Sequence, residues 1–496
     1  MDTPHRFALR LRLLLIPLLV LAALHGTNPA FADDATGRNL HPKYVFLLIG
    51  DGMGLAQRAA AAAFAGHKLV MDTLPATGLT ATQAFDRAIT DSAAAGTALA
   101  TGSKTRISRI GIGPDGERLQ SVAEFAHARG MKVGIVTTVS VDHATPAAFY
   151  AHVENRSMYH EIAHQLAESG FEYFAGGGLK DPEGRKSKHP KGDARDTLRS
   201  AGYRFVDDRA GFLALSAADG KVIVTAPRTH RSGSLPLAID ARPGDTTLAE
   251  FTAKGIELLD NPNGFFIMIE GGMIDWACHG NDVATTVREV LAFDDAVAEA
   301  VRFARSHPDD TLVVVTADHE TGGLALGFAG TDYESAPQLL AAQKVSFRVF
   351  TDDVLARFRD GDGPKDFDSF RPIVTEHFGL TFSDGEATPL RLAPQEEAAL
   401  RDAFALSMRG LPKKNRNAQV SLLYGKDDPL TVTLTRILAN KAGMGWTTFA
   451  HTAAPVVTTA MGAGSEAFDG FHDNTDIAKV IRRTIDAAHP VANVVN

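Results

Sequence analysis

The chain of 496 residues is 45% hydrophobic and 22% charged, which argues against intrinsic disorder and suffices for one large core or two moderate ones. Its formal net charge of -9 argues against nucleic acid as a specific partner. The single cysteine, Cys278, excludes an intrachain disulfide and leaves no N-terminal cysteine that could carry a lipid.

The N-terminal segment has the features of a secretory signal peptide. Arg6, Arg10 and Arg12 precede the apolar run LLLIPLLVLAAL, and the small residues of Ala30-Phe31-Ala32 suit cleavage. The run is shorter than the roughly 20 residues that a spanning helix requires, which disfavours the alternative of an uncleaved membrane anchor. We therefore predict a signal peptide at residues 1–32 and a mature protein, 33–496, that is periplasmic or extracellular.

Short β-rich runs then recur along the chain, each followed by glycines or polar residues and by a helical pattern. These runs are YVFLLIGDGMG, KVGIVTTVS, KVIVTAP, GFFIMIEGG and TLVVVTADHE. Continuously apolar runs are typical of strands buried on both faces, and apolar residues repeat at helical spacing in ATTVREVLAFDDAVAEAVRFARS. The pattern predicts an α/β fold with a mostly parallel central sheet and helices on both faces.

The alternation of β-rich runs and helical patterns is absent between about residues 335 and 445. Within this stretch SFRVFTDDVLARFRD and PQEEAALRDAFALSMRG have the character of surface helices, and KKNRN and GKDDP that of loops. The core pattern returns at PVVTTAMG. We interpret 335–445 as a helical and loop insertion in a single domain that spans 33–496.

Acidic and imidazole side chains follow three of the predicted strands. Asp51 ends the first run, Glu270 the fourth and Asp318-His319 the fifth. Ligands of open α/β sheets bind beyond the carboxyl ends of the strands, so these side chains are expected to share a site. Each one taken alone is also explained as a helix cap or a loop carboxylate, and only their joint placement indicates a site.

The segment EGGMIDWACHG adds two further candidate ligands. Asp275 and His279 are four residues apart, like neighbours on a helical turn, and Gly271-Gly272 lets the backbone turn sharply after Glu270. Oxygen and nitrogen donors of this kind suit zinc, and harder ions prefer oxygen alone. A structural ion pair is the alternative, and it leaves the two glycines unexplained.

At this point the chain resembles the alkaline phosphatase family, secreted metalloenzymes that cleave phosphate monoesters. The resemblance lies in IGDGMG (49–54), TDSAAAGTALATG (90–102), VDHATPAAFYAHVENR (141–156), IEGGMIDWACHG (269–280), TADHETGG (316–323) and HTAAPV (451–456). The motifs stand in the family's order, and the likeness extends from residue 44 to about 478. The resemblance implies the family's fold, a phosphate monoester substrate, a homodimer and activity at alkaline pH.

The family resemblance also implies a nucleophile, which is Ser92 here. A serine at a helix start lies near unpaired backbone N–H groups and the positive end of the helix dipole, both favourable to phosphate. The small residues that follow Ser92 let a phosphoryl group approach. A simple N-cap at Asp91 or Ser92 is the alternative, and it is compatible with catalysis.

Three metal ions are implied by the same resemblance. One zinc is held by Asp51, Asp318 and His319 and contacts Ser92. A second zinc, held by Asp275, His279 and His451, stabilises the leaving oxygen and activates water. A magnesium ion takes Asp51, Thr145 and Glu270, which are hard oxygen ligands. Arg156 corresponds to the family's phosphate-binding arginine, whose planar fork grips two oxygens.

Four residues carry weaker or divergent signals. His143 and Trp276 stand where many bacterial members have aspartate and lysine, and we expect His143 to lie outside the ligand set, next to it. His472, in GFHDNTDI, is expected to be a structural histidine near the site. Cys278 adjoins His279, but a lone cysteine is more often a small packing residue than a ligand.

Other function classes remain as alternatives. A sulfatase requires a Cys/Ser-x-Pro-x-Arg setting, which DSAAAGT lacks. A phosphodiesterase or nucleotide pyrophosphatase of the same superfamily keeps the two-zinc set without the pair Glu270 and Thr145, and it is the main alternative. A catalytically silent metal- or phosphate-binding module would not need the intact nucleophile motif at Ser92.

Overall fold

The computed structural model describes residues 41–230, 233–384, 387–410 and 416–489. The predicted signal peptide, residues 1–32, lies outside these ranges. Within the described ranges the chain forms fourteen strands and seventeen α-helices, interspersed with short 3-10 turns.

Ten of the strands form one sheet, and four make two small ribbons. In chain order the strands are β1 (Tyr44–Ile49), β2 (Ala76–Ala81), β3 (Lys132–Thr137), β4 (Tyr173–Gly176), β5 (Arg204–Val206), β6 (Val222–Thr225), β7 (Phe265–Glu270), β8 (Thr311–Thr316), β9 (Glu320–Thr321), β10 (Leu324–Leu326), β11 (Met444–Trp446), β12 (His451–Thr452), β13 (Val456–Gly462) and β14 (Gly470–Asp473). The sheet has the order β14-β2-β13-β8-β1-β7-β3-β4-β6-β5.

The direction of pairing confirms the predicted fold class. Strand β13 pairs antiparallel with both β2 and β8. The other neighbours in the sheet pair parallel, including β8 with β1, β1 with β7 and β7 with β3. The five β-rich runs of the sequence correspond to β1, β3, β6, β7 and β8. The sheet is therefore mostly parallel, as continuously apolar strands require.

The helices lie on both faces of this sheet. They are α1 (Leu55–Ala65), α2 (Ser92–Thr101), α3 (Val122–Ala128), α4 (Ala144–Ala147), α5 (Tyr159–Ser169), α6 (Ala194–Ser200), α7 (Arg209–Leu213), α8 (Leu248–Leu259), α9 (Met273–His279), α10 (Val283–Ser306), α11 (Phe347–Val349), α12 (Ala356–Asp360), α13 (Phe367–Phe378), α14 (Pro394–Met408), α15 (Ala418–Tyr424), α16 (Pro429–Lys441) and α17 (Asn474–Ala488). A π-helical stretch, Phe350–Leu355, joins α11 to α12.

Alternate residues of the central strands divide into two hydrophobic cores. Phe46 and Leu48 of β1 face a core that includes buried residues of α1, α8 and α10. Val45 and Leu47 of the same strand face a second core, with residues of α2, α3, α5 and α17. Since successive side chains of a strand point to opposite faces, this division places a helical layer on each side of the sheet.

The strand register brings the ends of the central strands to one level. Ile49 at the end of β1 is opposite Glu270 on β7 and Thr316 on β8. Thr137, the last residue of β3, is opposite Glu270 on the other side. Residues that end or directly follow these four strands therefore share one edge of the sheet.

Segment 335–445 forms helices, as its sequence predicts. The two predicted surface helices correspond to residues 347–360 and to α14. Each helix has a buried side, because Phe350 and Leu355 of the first and Leu400 and Phe404 of α14 are buried and belong to the same core as α1, α8 and α10. The antiparallel ribbon of β10 with β11 joins the two ends of the segment.

A second ribbon returns the chain to the edge where the central strands end. Strand β12 pairs antiparallel with β9, and His451 is opposite Thr321. Because β9 begins directly after His319, the ribbon brings the rings of His451 and His319 into a stack with centroids 3.6 Å apart.

A buried glutamate outside this edge gives a pH prediction for stability. Burial, and then the charge of Asp240, raises the pKa of Glu289 to about 8. Its Oε1 accepts a hydrogen bond from the Ala238 N–H at 2.6 Å. A folded-state pKa above the unfolded one favours the protonated form, so this contribution to stability is present below about pH 4.5 and is lost as pH rises through about 8.

We therefore expect Glu289→Gln, which keeps the acceptor oxygen, to flatten the fall in unfolding free energy between pH 5 and 8, by a few kcal/mol at pH 8. Urea unfolding at both pH values measures the effect. Glu257→Gln on α8, where the side chain is 55% exposed, is the control and should leave the slope unchanged. A variant at Glu289 with the native slope would contradict the assignment of this carboxyl.

Candidate active site

Three predicted ligands meet where β1 and β8 end. The Nε2 atom of His319 lies 3.2 Å from Oδ2 of Asp318 and 3.5 Å from Oδ1 of Asp51. The Gly52 N–H donates to Oδ1 of Asp318 at 3.1 Å. Gly52 has φ +74°, which glycine adopts at no steric cost, and this turn lets the backbone approach the Asp318 carboxylate.

Ser92 is the first residue of α2 and lies beside this group. Its Oγ is 3.3 Å from Nε2 of His319, and the side chain is buried. Asp91 is the N-cap of α2, because its Oδ1 accepts a hydrogen bond from the Ala94 N–H at 3.0 Å. The cap and the nucleophile candidate are therefore separate residues, and the hydroxyl of Ser92 is not used for capping.

Helix α2 also packs closely on the segment that carries Thr145. A Cβ built on Gly96 would lie 3.3 Å from both the Thr145 Cα and the Ala148 Cβ, which is tighter than most contacts. The glycine in the small-residue run of α2 therefore sets the distance between Ser92 and the Thr145 region.

The second predicted group lies on α9 and β12. Nε2 of His279 is 3.3 Å from Oδ2 of Asp275, and Nε2 of His451 is 3.5 Å from Oδ1 of the same carboxylate. The two Nε2 atoms lie 3.2 Å apart. One carboxylate and two imidazoles thus point their ligating atoms at a common volume.

Contacts at the far nitrogens orient these rings. Nδ1 of His279 lies 2.6 Å from the Phe449 carbonyl oxygen, and Nδ1 of His451 lies 2.9 Å from the Thr90 carbonyl oxygen. A carbonyl accepts only, so the proton is assigned to Nδ1 in each ring. The two rings therefore face each other through their Nε2 atoms, an arrangement that a cation between them, either a proton or a metal ion, stabilises.

A third group lies where β1 and β7 end. The Thr145 hydroxyl donates to Oδ2 of Asp51 at 3.5 Å, and the Thr137 hydroxyl donates to Oε2 of Glu270. A ring nitrogen of His143 and carboxylate oxygens of Asp51 and Glu270 all lie within 4.8 Å of one another. His143 therefore lies closer to the oxygen ligands predicted for magnesium than the neighbouring position that the sequence analysis predicts for it.

Arg156 lies between the N-cap of α2 and His143. Its Nη1 donates to Oδ2 of Asp91 at 3.2 Å, and its Nη2 is 3.4 Å from Nε2 of His143. The Ser108 N–H also donates to Oδ2 of Asp91, at 3.0 Å. Asp91 therefore caps α2 and orients the Arg156 guanidinium at the same time.

Four buried carboxylates give the site a strong negative potential. Burial, and then the charge of Asp318, raises the pKa of Asp51 well above its ordinary value. Burial likewise raises the pKa of Asp318 well above its usual range and the pKa of Glu270 to about 7. Burial acts the same way on Asp275, but the charges of His279, His451 and His319 and the hydrogen bond from His279 together outweigh it and hold that pKa well below the ordinary value. Such a cluster is most stable with cations among its oxygens.

The pKa values of the three imidazoles shift in two directions. Burial lowers the pKa of His319 well below its ordinary value and also lowers the pKa of His451, so both rings are neutral and suited to metal ligation. Burial acts in the same direction on His279, but the charge of Asp275 and the hydrogen bonds to Asp275 and to the Phe449 carbonyl together outweigh it and raise the pKa of His279 to about 9. His279 must therefore release a proton before its Nε2 can ligate a metal ion.

Unpartnered buried oxygens show that the residues fit metal ions. Oδ1 of Asp51, Oε1 of Glu270 and Oδ2 of Asp318 are buried and have no hydrogen-bond partner. Leaving such atoms without a partner is costly, and a bound cation supplies one. The groups Asp51-Asp318-His319 and Asp275-His319-His451 each bring their candidate ligand atoms within 4.8 Å. Mixed carboxylate and imidazole sets of this kind match zinc.

Three residues singled out in the sequence lie apart from these groups. Cys278 is fully buried in the core, its Sγ is 3.7 Å from the Thr286 hydroxyl, and burial raises the pKa of the thiol. His472 lies on the edge strand β14, where its Nε2 contacts the Asp469 carbonyl oxygen at 2.8 Å. Trp276 faces outward from α9 and meets the His143 ring edge-on at 5.9 Å.

Sequence reasoning missed several residues that orient the site. The Thr321 hydroxyl donates to Oδ1 of Asp275 at 2.6 Å and lies 3.2 Å from Nδ1 of His319. Thr137 supports Glu270, and Asp91 supports Arg156. Each lies inside or directly after a motif or strand that the sequence did identify. Their position in the sequence was the only signal that could have identified them. The sequence does not show where each hydroxyl or carboxylate points.

The sequence profile of the family described as Alkaline phosphatase matches residues 42–487. The chain belongs to the alkaline phosphatase family. The phosphatase is 31% identical over 480 residues to Alkaline phosphatase 4 of Bacillus subtilis, covering 93% of this chain and 92% of that protein.

Two solved structures share this fold. The cold-active alkaline phosphatase of a psychrophilic Shewanella is 30% identical with a TM-score of 0.73, covering 89% of this chain and 99% of its own. A mutant of the alkaline phosphatase from the Antarctic bacterium TAB5, with Mg bound in the M3 site, is 26% identical with a TM-score of 0.62, covering 90% and 98%.

These likenesses establish the reaction class. The phosphatase hydrolyses phosphate monoesters, and dependence on metal is a property of its family. Among the described residues, no helix has both the length and the apolar character needed to cross a membrane.

Proposed function

We propose that the phosphatase acts through a phosphoserine formed on Ser92. The observation that carries this proposal is the 3.3 Å approach of Ser92 Oγ to His319, inside the group of Asp51, Asp318 and His319. Oγ forms a bond to phosphorus as the bond from phosphorus to the alcohol oxygen breaks, and the Ser92 proton ends on the departing alcohol. Water then attacks phosphorus, releases inorganic phosphate and returns a proton to Ser92.

Two zinc ions are proposed for the groups that contain imidazole. Asp51, Asp318 and His319 would hold one ion beside Ser92. Asp275, His279 and His451 would hold the other. When bound, such ions stabilise negative charge on the entering and leaving oxygens and lower the pKa of water. The hydrogen bond that Thr321 donates to Asp275, and those that two backbone carbonyls accept from Nδ1 of His279 and of His451, keep the ligating atoms aligned.

A third ion, magnesium, is proposed for Asp51, Thr145 and Glu270. Oxygen ligands suit magnesium, and the unpartnered Oε1 of Glu270 supplies one of them. The TAB5 mutant with Mg in its M3 site supports a magnesium ion at a third site in this family. The ring nitrogen of His143 lies in the same group and would weaken selectivity for magnesium.

Arg156 is proposed to bind the phosphoryl group. Its guanidinium offers a planar fork that matches two nonbridging oxygens, and Asp91 holds one edge of it. The first backbone N–H groups of α2 add positive potential at Ser92. Both features act on charge that increases as the transition state forms, so they lower the barrier more than they tighten substrate binding.

We also propose export and dimerisation. The basic and apolar run of residues 1–32 supports export to the periplasm or the extracellular space, and the single cysteine means that the fold needs no disulfide there. The resemblance to the family supports a homodimer. Neither proposal changes the chemistry of the site described above.

Substrate selectivity tests the third ion. A monoester has a free anionic oxygen that a diester lacks, and an ion beside Glu270 would stabilise that oxygen selectively. We expect the native enzyme to prefer monoesters strongly, and we expect Glu270→Ala to reduce kcat/KM for an aryl monoester by about 10- to 100-fold more than for the matching diester.

Metal analysis should accompany these rates, with loss of magnesium and retention of zinc in Glu270→Ala. Glu289→Gln, a buried glutamate outside the site, is the control and should keep the native ratio. Equal losses for both substrates would refute the third site, and a native preference for diesters would favour a phosphodiesterase instead.

A further inference from the structure

The site opens to solvent on the side of His279. The side chain of His279 is 38% exposed, whereas Asp275 is 6% and His451 is 13% exposed. A cavity of about 280 Å³ adjoins it, lined by Trp276, His279, Phe347, Arg348 and Asp427. Phe347, Arg348 and Asp427 belong to segment 335–445, so this segment forms one wall of the opening.

Arg348 is separated from the phosphoryl site by two rings. Arg156 lies 3.4 Å from His143, the His143 ring lies 5.9 Å from the Trp276 ring, and the Arg348 guanidinium lies 4.9 Å from the Trp276 ring. Arg348 is therefore too far from Ser92 to contact the phosphorus that reacts there. It lies instead beside His279, where an in-line displacement from Ser92 directs the departing alcohol.

The guanidinium of Arg348 is partly desolvated without a matching ion pair. It packs against the rings of Trp276 and Phe347, and its Nη1 lies 3.4 Å from Nδ1 of His230. Burial lowers the pKa of Arg348, against the more distant charges of Asp352 and Asp427. Among the described residues no carboxylate forms an ion pair with it within 4.0 Å.

An anionic ligand would stabilise a partly desolvated guanidinium of this kind. Arg binds carboxylate or phosphate oxygens in pairs, and such bonds strengthen when water is excluded. Stacking on Trp276 fixes the plane of the fork, which reduces the entropy lost on binding. Arg348 also lines two further cavities, of about 430 and 610 Å³.

We propose that Arg348 forms a subsite for an anionic substituent, a carboxylate or a second phosphate, on the alcohol part of the monoester. The subsite rests on the proposed function, because it assumes that the alcohol departs beside His279. It makes segment 335–445 the determinant of leaving-group specificity.

Matched aryl phosphates test the subsite. 4-Carboxyphenyl phosphate and 4-carbamoylphenyl phosphate have the same shape and differ in charge, and 1,4-phenylene bisphosphate tests a second phosphate. We expect Arg348→Ala to lower kcat/KM for each anionic substrate by about 10- to 100-fold relative to the carbamoyl substrate, chiefly through KM. Arg348→Lys should recover part of this discrimination, because it keeps the charge and loses the fork.

Inhibition gives a second measurement that does not depend on turnover of the probe. Ki for 4-carboxyphenylphosphonate should rise in Arg348→Ala relative to Ki for phenylphosphonate. Arg357→Ala, which changes an exposed arginine on α12 that lines none of these three cavities, is the control and should keep the native ratios.

Equal changes for charged and neutral substrates, or no change, would overturn the subsite. The proposed function would survive that result, because hydrolysis of phenyl phosphate by the native protein and its loss in Ser92→Ala report on it separately.

Discussion

Replacing Ser92 with alanine is expected to reduce kcat for an aryl monoester by at least about a thousandfold. The substitution removes the oxygen proposed to attack phosphorus, while Asp51, Asp318 and His319 keep their mutual contacts. Ser92 is the first residue of α2 and Asp91 provides the cap, so alanine, a strong helix former, should leave the fold and the metal content native. Slow direct hydrolysis by water is compatible with this result.

Acid quenching during turnover provides the direct measurement. Mass spectrometry should find phosphate on Ser92 in the native enzyme and none in the alanine variant. Ser103→Ala changes a serine just beyond the same helix and should leave kcat at the native level. Near-native turnover in Ser92→Ala would remove the phosphoserine route from the mechanism.

Removing metal ions is expected to abolish activity and to lower Tm by about 5 °C or more, because ions that bind only the folded chain stabilise it by mass action. Zinc should restore activity, and magnesium should increase it further.

Asp51 belongs to two of the ligand groups. We therefore expect Asp51→Asn to lose most of the metal-dependent rise in Tm and to reduce kcat about a thousandfold.

The same variant has an opposite effect on the metal-free protein. Asp51 is fully buried among Asp318, Asp275 and Glu270, and its Oδ1 has no partner. We expect metal-free Asp51→Asn to be at least as stable as the metal-free native chain, because one like charge is removed. Asp294→Asn, a buried aspartate that accepts hydrogen bonds from Val70 and Met71, is the control and should keep the native response to metal.

Calorimetry with and without chelator, together with elemental analysis, measures both effects. Full activity after prolonged dialysis against chelator would refute the metal groups as the source of catalysis. A metal-free Asp51→Asn variant that is less stable than the native chain would contradict the electrostatic account of the site.

The central sheet could be predicted because its strands carry an unambiguous pattern. The runs that became β1, β7 and β8 are continuously apolar, and burial on both faces requires that composition. Strand β2 could not be predicted in the same way, since ATGLTA contains a glycine and alternates between buried and exposed positions. The antiparallel direction of β13 depends on the path of segment 335–445, which no local pattern encodes.

The candidate site was predictable in its residue types and only partly in its geometry. Sequence motifs and the family resemblance predict the ligands, and the structure brings these residues together at one edge of the sheet. His143 was expected beside the ligand set, yet its ring nitrogen joins Asp51 and Glu270. The contact of Arg348 with Trp276 joins segments 72 positions apart, and such a contact depends on packing between layers rather than on spacing.

The reversed direction of β13 affects when the candidate metal ligands become available during synthesis of the chain. Because this strand runs against its neighbours, its first residues meet the carboxyl ends of the parallel strands, and β12 places His451 there from a position late in the chain. Every other candidate ligand has left the ribosome well before His451. A nascent chain therefore lacks one ligand of the second proposed metal group, and the full set of proposed ions could be retained only once β12 has been synthesised.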